Sequence, residues 1–166
     1  MAILARFRKM GGFAALVQLL ESCDLKKRED LLKNIELEDD HWAALAREKI
    51  LTAKVVYSWP SPVITEIITL MAPKIIAISL KNQSPENVQR IYLECLTKAQ
   101  SEAIDQIKMA SGSTPEEITA AENLIVGKVR ELVQKKVLNL GRVAPEYILS
   151  DPVAKQNLQP TIVLAH

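Results

Sequence analysis

The sequence is poor in the residues on which most chemistry depends. Aromatics make up only 4% of its 166 residues, leaving few rings on which nucleic-acid bases could stack. The formal net charge is +1, so no overall basic field points to a polyanionic partner. Two histidines, His41 and His166, lie far apart, and neither has a second histidine or a cysteine at ligand spacing. His41 reads as a solvated residue at a helix opening, and His166 as a chain end. The two cysteines, Cys23 and Cys95, show no metal-ligand spacing. Each sits among apolar residues and reads as a small core residue.

Long apolar runs are missing too. The most hydrophobic region, Val63 to Leu80, is broken by Thr65, Glu66, Thr69, Pro73 and Lys74. A charge deep in a lone span is costly, so this region reads as buried helices rather than a membrane span. The N-terminus MAILARFRKMGG places its basic residues after a short apolar run, the wrong order for a secretory signal. A cytoplasmic location follows as the expectation. Glycine is scarce, and Gly11-Gly12 lacks the further glycines and the preceding strand of a phosphate loop. The pair reads as a helix break.

What the chain has in plenty is helix punctuation. Ser61-Pro62, Ser84-Pro85 and Thr114-Pro115 each set a capping hydroxyl before a proline, and proline at the first helical position loses no needed donor. Thr114-Pro115-Glu116-Glu117 has the spacing of a capping box. Behind these starts the apolar spacing is helical: Val88, Ile91, Tyr92, Cys95 and Leu96; then Ala99, Ala103, Ile104 and Ile107 after a break near Thr97; then Ile118, Ala121, Ile125, Val129 and Leu132. Lys128, Arg130, Lys135 and Lys136 close the last stripe and suit the negative end of a helix.

The first third repeats the theme. Phe13, Leu16, Val17 and Leu20 form a stripe, and Asp24 can cap a helix carrying Leu25, Leu31 and Leu32. Glu38, Asp39 and Asp40 supply negative charge before Trp42, Leu45, Ala46, Lys49 and Ile50. Val55-Val56-Tyr57 is β-prone but too short to support a sheet. From Gly141 the pattern fails among Pro145, Pro152 and Pro160, which predicts an irregular tail or one docked along the body. The expected fold is all-α, with short helices stacked as an armadillo-like right-handed superhelix or bundle. Pro60 marks the expected boundary between a first module, residues 1–58, and a second, residues 59–140, with an irregular proline-containing tail over 141–166.

No catalytic constellation appears. Glu36, Glu38, Asp39 and Asp40 lack the alternation, central glycine and terminal glutamate of a calcium loop, and read as solvated helix-start carboxylates. GxSxG, GxxxxGKS and HExxH are absent. Lys26-Lys27-Arg28-Glu29-Asp30 mixes both signs and reads as a wet face. Trp42 and Trp59 read as core or hinge plugs. These readings predict no enzyme, no cofactor, no bound metal and no nucleic acid or small-molecule substrate.

Several segments in order resemble one family, the flagellar motor switch protein FliG. Arg8-Lys9-Met10-Gly11-Gly12-Phe13-Ala14-Ala15-Leu16 looks like its basic, Gly-Gly opening of an amphipathic helix. Leu37 to Ile50 is similar to its acidic helix start followed by Leu-Ala and a basic residue. Ile75-Ile76-Ala77-Ile78-Ser79-Leu80-Lys81 resembles the apolar helix ending in Ala-Leu-Lys. Gly112 and Ala120 to Leu132 look like the last long helix after its Gly-Pro turn. The likeness runs from Arg8 to Leu140, and it implies a rotor component working through protein–protein contacts in flagellar rotation and switching.

The family's pattern is also altered. Its Met-Phe-x-Phe hinge is replaced around Ile50-Leu51-Thr52-Ala53, and its Glu-His-Pro-Gln surface has no counterpart. The torque-helix arginine falls at Ala99, and the acidic pair near Gln106 and Ile107. The resemblance implies Lys81, Lys98, Glu102 and Asp105 as stator-facing residues, with Gly11, Gly12 and Pro60 as breaks. The implied partners are ring and stator proteins, with self-association by module stacking, at the inner-membrane face of a large assembly. Loss of torque charges leaves room for an adaptor in another membrane assembly, such as a secretion apparatus. A regulatory domain resembling that of magnesium transporters, using the acids at 36–40, is the third reading.

Overall fold

A computed structural model describes residues 2–110 and 112–152. The sequence readings on Pro160 and His166 lie outside the described residues. Every regular element among these residues is helical, as the spacing predicts. After a 3-10 turn at Leu4–Phe7 come α1 (Gly12–Ser22), α2 (Leu25–Glu38), α3 (Asp40–Lys49) and the short α4 (Ala53–Val56). Then follow α5 (Ser61–Thr69), α6 (Pro73–Ser79), α7 (Pro85–Glu94), α8 (Lys98–Ala110), α9 (Pro115–Gln134) and α10 (Leu140–Val143). The β-prone Val55-Val56-Tyr57 is drawn into α4 and its C-cap, because the Thr52 hydroxyl accepts the Val55 amide and starts a turn.

Most helix starts follow the local chemistry. The side chains of Asp24, Asp39, Ser84 and Thr114 accept amide protons from the first turns of α2, α3, α7 and α9. Ser61 departs from expectation: Pro60 is the N-cap residue of α5, and no side chain caps it. The Ser61 hydroxyl instead donates to Glu94 and accepts from Arg90, tertiary partners that outcompete its own helix. The reciprocal capping box forms where it was not expected. Thr97 N donates to Gln100 Oε1 at 2.8 Å, and Gln100 N donates to Thr97 Oγ1 at 3.2 Å. At Thr114 only the forward half of the box is made, from Glu117 N at 3.2 Å.

The glycine pair has two distinct jobs. Gly11 sits at φ 75, the left-handed region that a side chain disfavours. Gly12 has an ordinary φ, but a Cβ there would lie 1.7 Å from the Phe7 carbonyl oxygen. The turn at Leu4–Phe7 therefore packs directly on the start of α1.

Apolar packing falls into two clusters. The first gathers Leu4, Phe13, Leu16, Val17, Leu20, Leu32, Ile35, Ala43 and Ala46, with Trp42 packed against it. The Phe13 and Trp42 rings meet edge to face, with centroids 5.4 Å apart. The second runs from Leu51 to Ala144 and centres on the buried faces of α5, α6 and α9. Leu51, Ala53, Val56, Tyr57 and Trp59, which precede the Pro60 break, pack with this second cluster. Cys23 and Cys95 are both buried. No described helix is long and apolar enough to cross a membrane.

Candidate interaction surface

Helix α8 leans on α6 through a single buried residue, Ile104, and turns the rest of its circumference outward or half-outward. Lys98, Glu102 and Asp105 are all exposed. Spaced i, i+4 and i+7, they form one row along α8. Asp105 accepts a hydrogen bond from the Tyr92 hydroxyl at 3.0 Å, and Lys108 lies 4.9 Å from the Tyr92 ring centroid. Burial, followed by the bond to Asp105 and its charge, pushes the Tyr92 phenol up to about 12. Asp105 is thus braced by α7, while Lys98 and Glu102 are exposed and bond no other side chain among the described residues.

Lys81 sits elsewhere. It follows α6, and its Nζ donates to Ser113 Oγ at 2.9 Å, beyond the C-terminal end of α8. Lys98 opens that same 13-residue helix, so the two lysines stand about 20 Å apart along its axis. The structure brings Lys98, Glu102 and Asp105 together and leaves Lys81 at the opposite end, beside a cleft shared with Lys74 and Lys108. At the positions of the family's charged residues, Ala99 and Gln106 are exposed and Ile107 is half-buried.

Arg90 anchors α7, which carries Tyr92. Its guanidinium donates to the carbonyls of Tyr57 and Trp59, to the Ser61 hydroxyl and to Asn87 Oδ1, locking α7 onto the α4–α5 connection. Bonds to four acceptors around a planar fork leave little rotational freedom.

A second polar centre is buried. Glu21 of α1 and Arg130 of α9 are 4% and 7% exposed and meet at 2.8 Å. Glu21 Oε2 also accepts the Leu51 amide at 2.8 Å. Arg130 donates further to the carbonyls of Lys49 at 3.0 Å and Tyr147 at 2.6 Å. This corrects the grouping of Arg130 with the cations that suit the negative end of a helix. Its role is to join α1, the α3–α4 link and the tail. Glu21 lies four residues after Val17, and Arg130 four after Val126, so both continue buried stripes. A charge on an apolar stripe was the available signal.

The acids at 36–40 are largely engaged already. Glu38 accepts the Ile3 and Leu4 amides, and these bonds hold its carboxyl below the usual range. For Asp39, burial works against ionisation. The Arg8 guanidinium and the Trp42 and His41 amides outweigh it, so its carboxyl is also lowered. Among the described residues, no group of three His, Cys, Asp or Glu side chains is placed to hold a metal ion.

Packed helices, an exposed charged row and a buried ion pair that ties segments together define a helical scaffold. The profile of the FliG C-terminal domain matches residues 33–140, and the chain belongs to that family. It is 25% identical over 134 residues to the flagellar motor switch protein FliG of Aquifex aeolicus, covering 80% of this chain and 40% of that protein. The chain therefore spans well under half the length of this curated relative. Two crystal structures of FliG fragments from H. pylori share the fold. Residues 86–343 align with TM-score 0.57 and 19% identity, covering 80% of this chain and 62% of that one. Residues 116–343 align with TM-score 0.52 and 19% identity, covering 80% and 59%.

Proposed function

We propose that the chain is a non-enzymatic component of a flagellar motor switch, acting on the rotor side through protein–protein contacts. The observation that carries this is the exposed row Lys98–Glu102–Asp105 on α8, inside the residues that the family profile matches. Surface charges of this kind act weakly one at a time and are screened by salt, so a row engages a partner of alternating sign collectively. Stator proteins are the partners of the α8 row, and ring proteins or further copies of this chain stack against the helical body as an armadillo-like superhelix. The expected location is the cytoplasmic face of the inner membrane, as part of a large assembly.

The test is reversal of both lysines, Lys81→Glu with Lys98→Glu, in the native chromosome. Soft-agar swimming is expected to fall severely while far-UV circular dichroism of the purified variant stays unchanged. Normal swimming would sink the torque role. Ala99 and Ile107, standing where the family carries charge, favour a second reading as an adaptor in another membrane assembly. Affinity capture from the native cell separates the two: flagellar ring and stator proteins support the first, secretion-apparatus proteins the second.

A further inference from the structure

The segment after α10 carries no helical stripe, yet it grips both apolar clusters. Ala144 is buried in the second cluster, and Val143 and Tyr147 pack against it. Leu149, two residues beyond Tyr147, packs against the first cluster instead. Between them the backbone is held by cations from both sides: Lys49 Nζ donates to the Glu146 carbonyl at 2.7 Å, and Arg130 Nη1 to that of Tyr147 at 2.6 Å. Asp151 then accepts the Gly11 and Phe13 amides at 2.9 and 3.3 Å. Those amides open α1, where unpaired backbone donors need an acceptor and glycine offers no side chain to supply one.

We propose that residues 144–152 are an intramolecular strap that sets the orientation of the first helical unit, residues 4–50, on the second, residues 51–143. Apart from the strap, the units are joined by the chain at Ile50–Thr52, by the packing of α1 on α9, by the Glu21–Arg130 pair with its bonds to the Leu51 amide and the Lys49 carbonyl, and by Asn123, which donates to the Cys23 carbonyl at 3.0 Å. The strap adds an apolar contact and a helix cap at the start of α1, the end opposite Glu21, so rotation about the link must break these as well as the α1–α9 seam. Its outer contacts are exposed or half-exposed, and segments held that way open well below the free energy of global unfolding. It can therefore release without unfolding either unit. The strap lies beyond residue 140, where the family match ends, so the device is not part of the matched scaffold. With it seated, the charged row of α8 has one fixed bearing relative to α1–α3.

The test uses the whole chain with spin labels at two exposed sites, Asn34→Cys on α2 and Gln106→Cys on α8, and reads their distance distribution. Cys23 and Cys95 are buried and shielded from the label. The strapped protein is expected to give one narrow distance. Leu149→Ala with Asp151→Ala is expected to broaden it, with helix content unchanged and exchange of the Leu51 amide about tenfold faster. A second variant, with three flexible residues inserted between Ser150 and Asp151, keeps every side chain and slackens only the strap. Its distribution should widen as well. Distributions as narrow as the parent's in both variants would overturn the strap.

Discussion

Replacing Arg130 with methionine should be the most damaging single change on the α1–α9 seam. The substitution removes the bonds from Nε and Nη2 to Glu21 and the donors to the Lys49 and Tyr147 carbonyls. Glu21, only 4% exposed, keeps the Leu51 amide as its remaining partner. Breaking a buried pair by removing one member costs about 3–5 kcal/mol, because an uncompensated charge stays in a poorly solvating site. Against a total stability of about 5–15 kcal/mol this is a large fraction, corresponding to a fall of about 10 °C in Tm. Adding Glu21→Gln should recover about 1–2 kcal/mol, since the amide oxygen still accepts the Leu51 N–H and no charge is left buried. Urea denaturation followed by circular dichroism, with both single variants and the double, measures the coupling directly. The reasoning fails if Arg130→Met lies within about 1 kcal/mol of the parent, or if the double is less stable than Arg130→Met alone.

Two further outcomes follow from the same structure. Gly12→Ala should destabilise by about 3 kcal/mol or more, where alanine for glycine within a helix ordinarily stabilises, because the new Cβ would fall 1.7 Å from the Phe7 carbonyl oxygen and must push the Leu4–Phe7 turn away; thermal denaturation would show it, and an unchanged Tm would contradict the packing. Burial, opposed in part by the Ser79 hydrogen bond, pushes the Tyr57 phenol up from 10.0 to about 12. Its neutral form therefore contributes stability that is complete below pH 10 and is lost as pH rises through the folded value. Tyr57→Phe should flatten the alkaline loss of stability over that window, at a neutral-pH cost of about 1 kcal/mol for the 2.6 Å bond to Ser79.

Local chemistry settled a great deal. Caps at Asp24, Asp39, Ser84 and Thr114, and apolar stripes at helical spacing, are properties of a few neighbouring residues, so the helices and the all-α class were readable from the chain alone. Lys98, Glu102 and Asp105 come from the family resemblance rather than from local chemistry, and the structure shows all three exposed on α8. Ser61 shows where local chemistry stops. Its hydroxyl has the capping position by sequence, but Arg90 and Glu94 compete for it, and they reach it only when α7 packs beside α5. Lys81 likewise had the right residue type, and only the fold put it at the other end of α8 from Lys98.

The joining of the chain was decided in three dimensions. Glu21 and Arg130 are 109 residues apart, and nothing within one turn of either says which charge will be desolvated or by whom it will be met. The same holds for Asp151, whose partners at Gly11 and Phe13 lie about 140 positions upstream. Helical periodicity reports which face of an element is apolar. It does not report which faces meet, because that depends on summed burial and on every buried polar group finding a partner. The amino-acid sequence by itself determined a set of capped, amphipathic helices. Tertiary structure alone decided that Glu21 would meet Arg130 in the interior and that Asp151 would reach the start of α1.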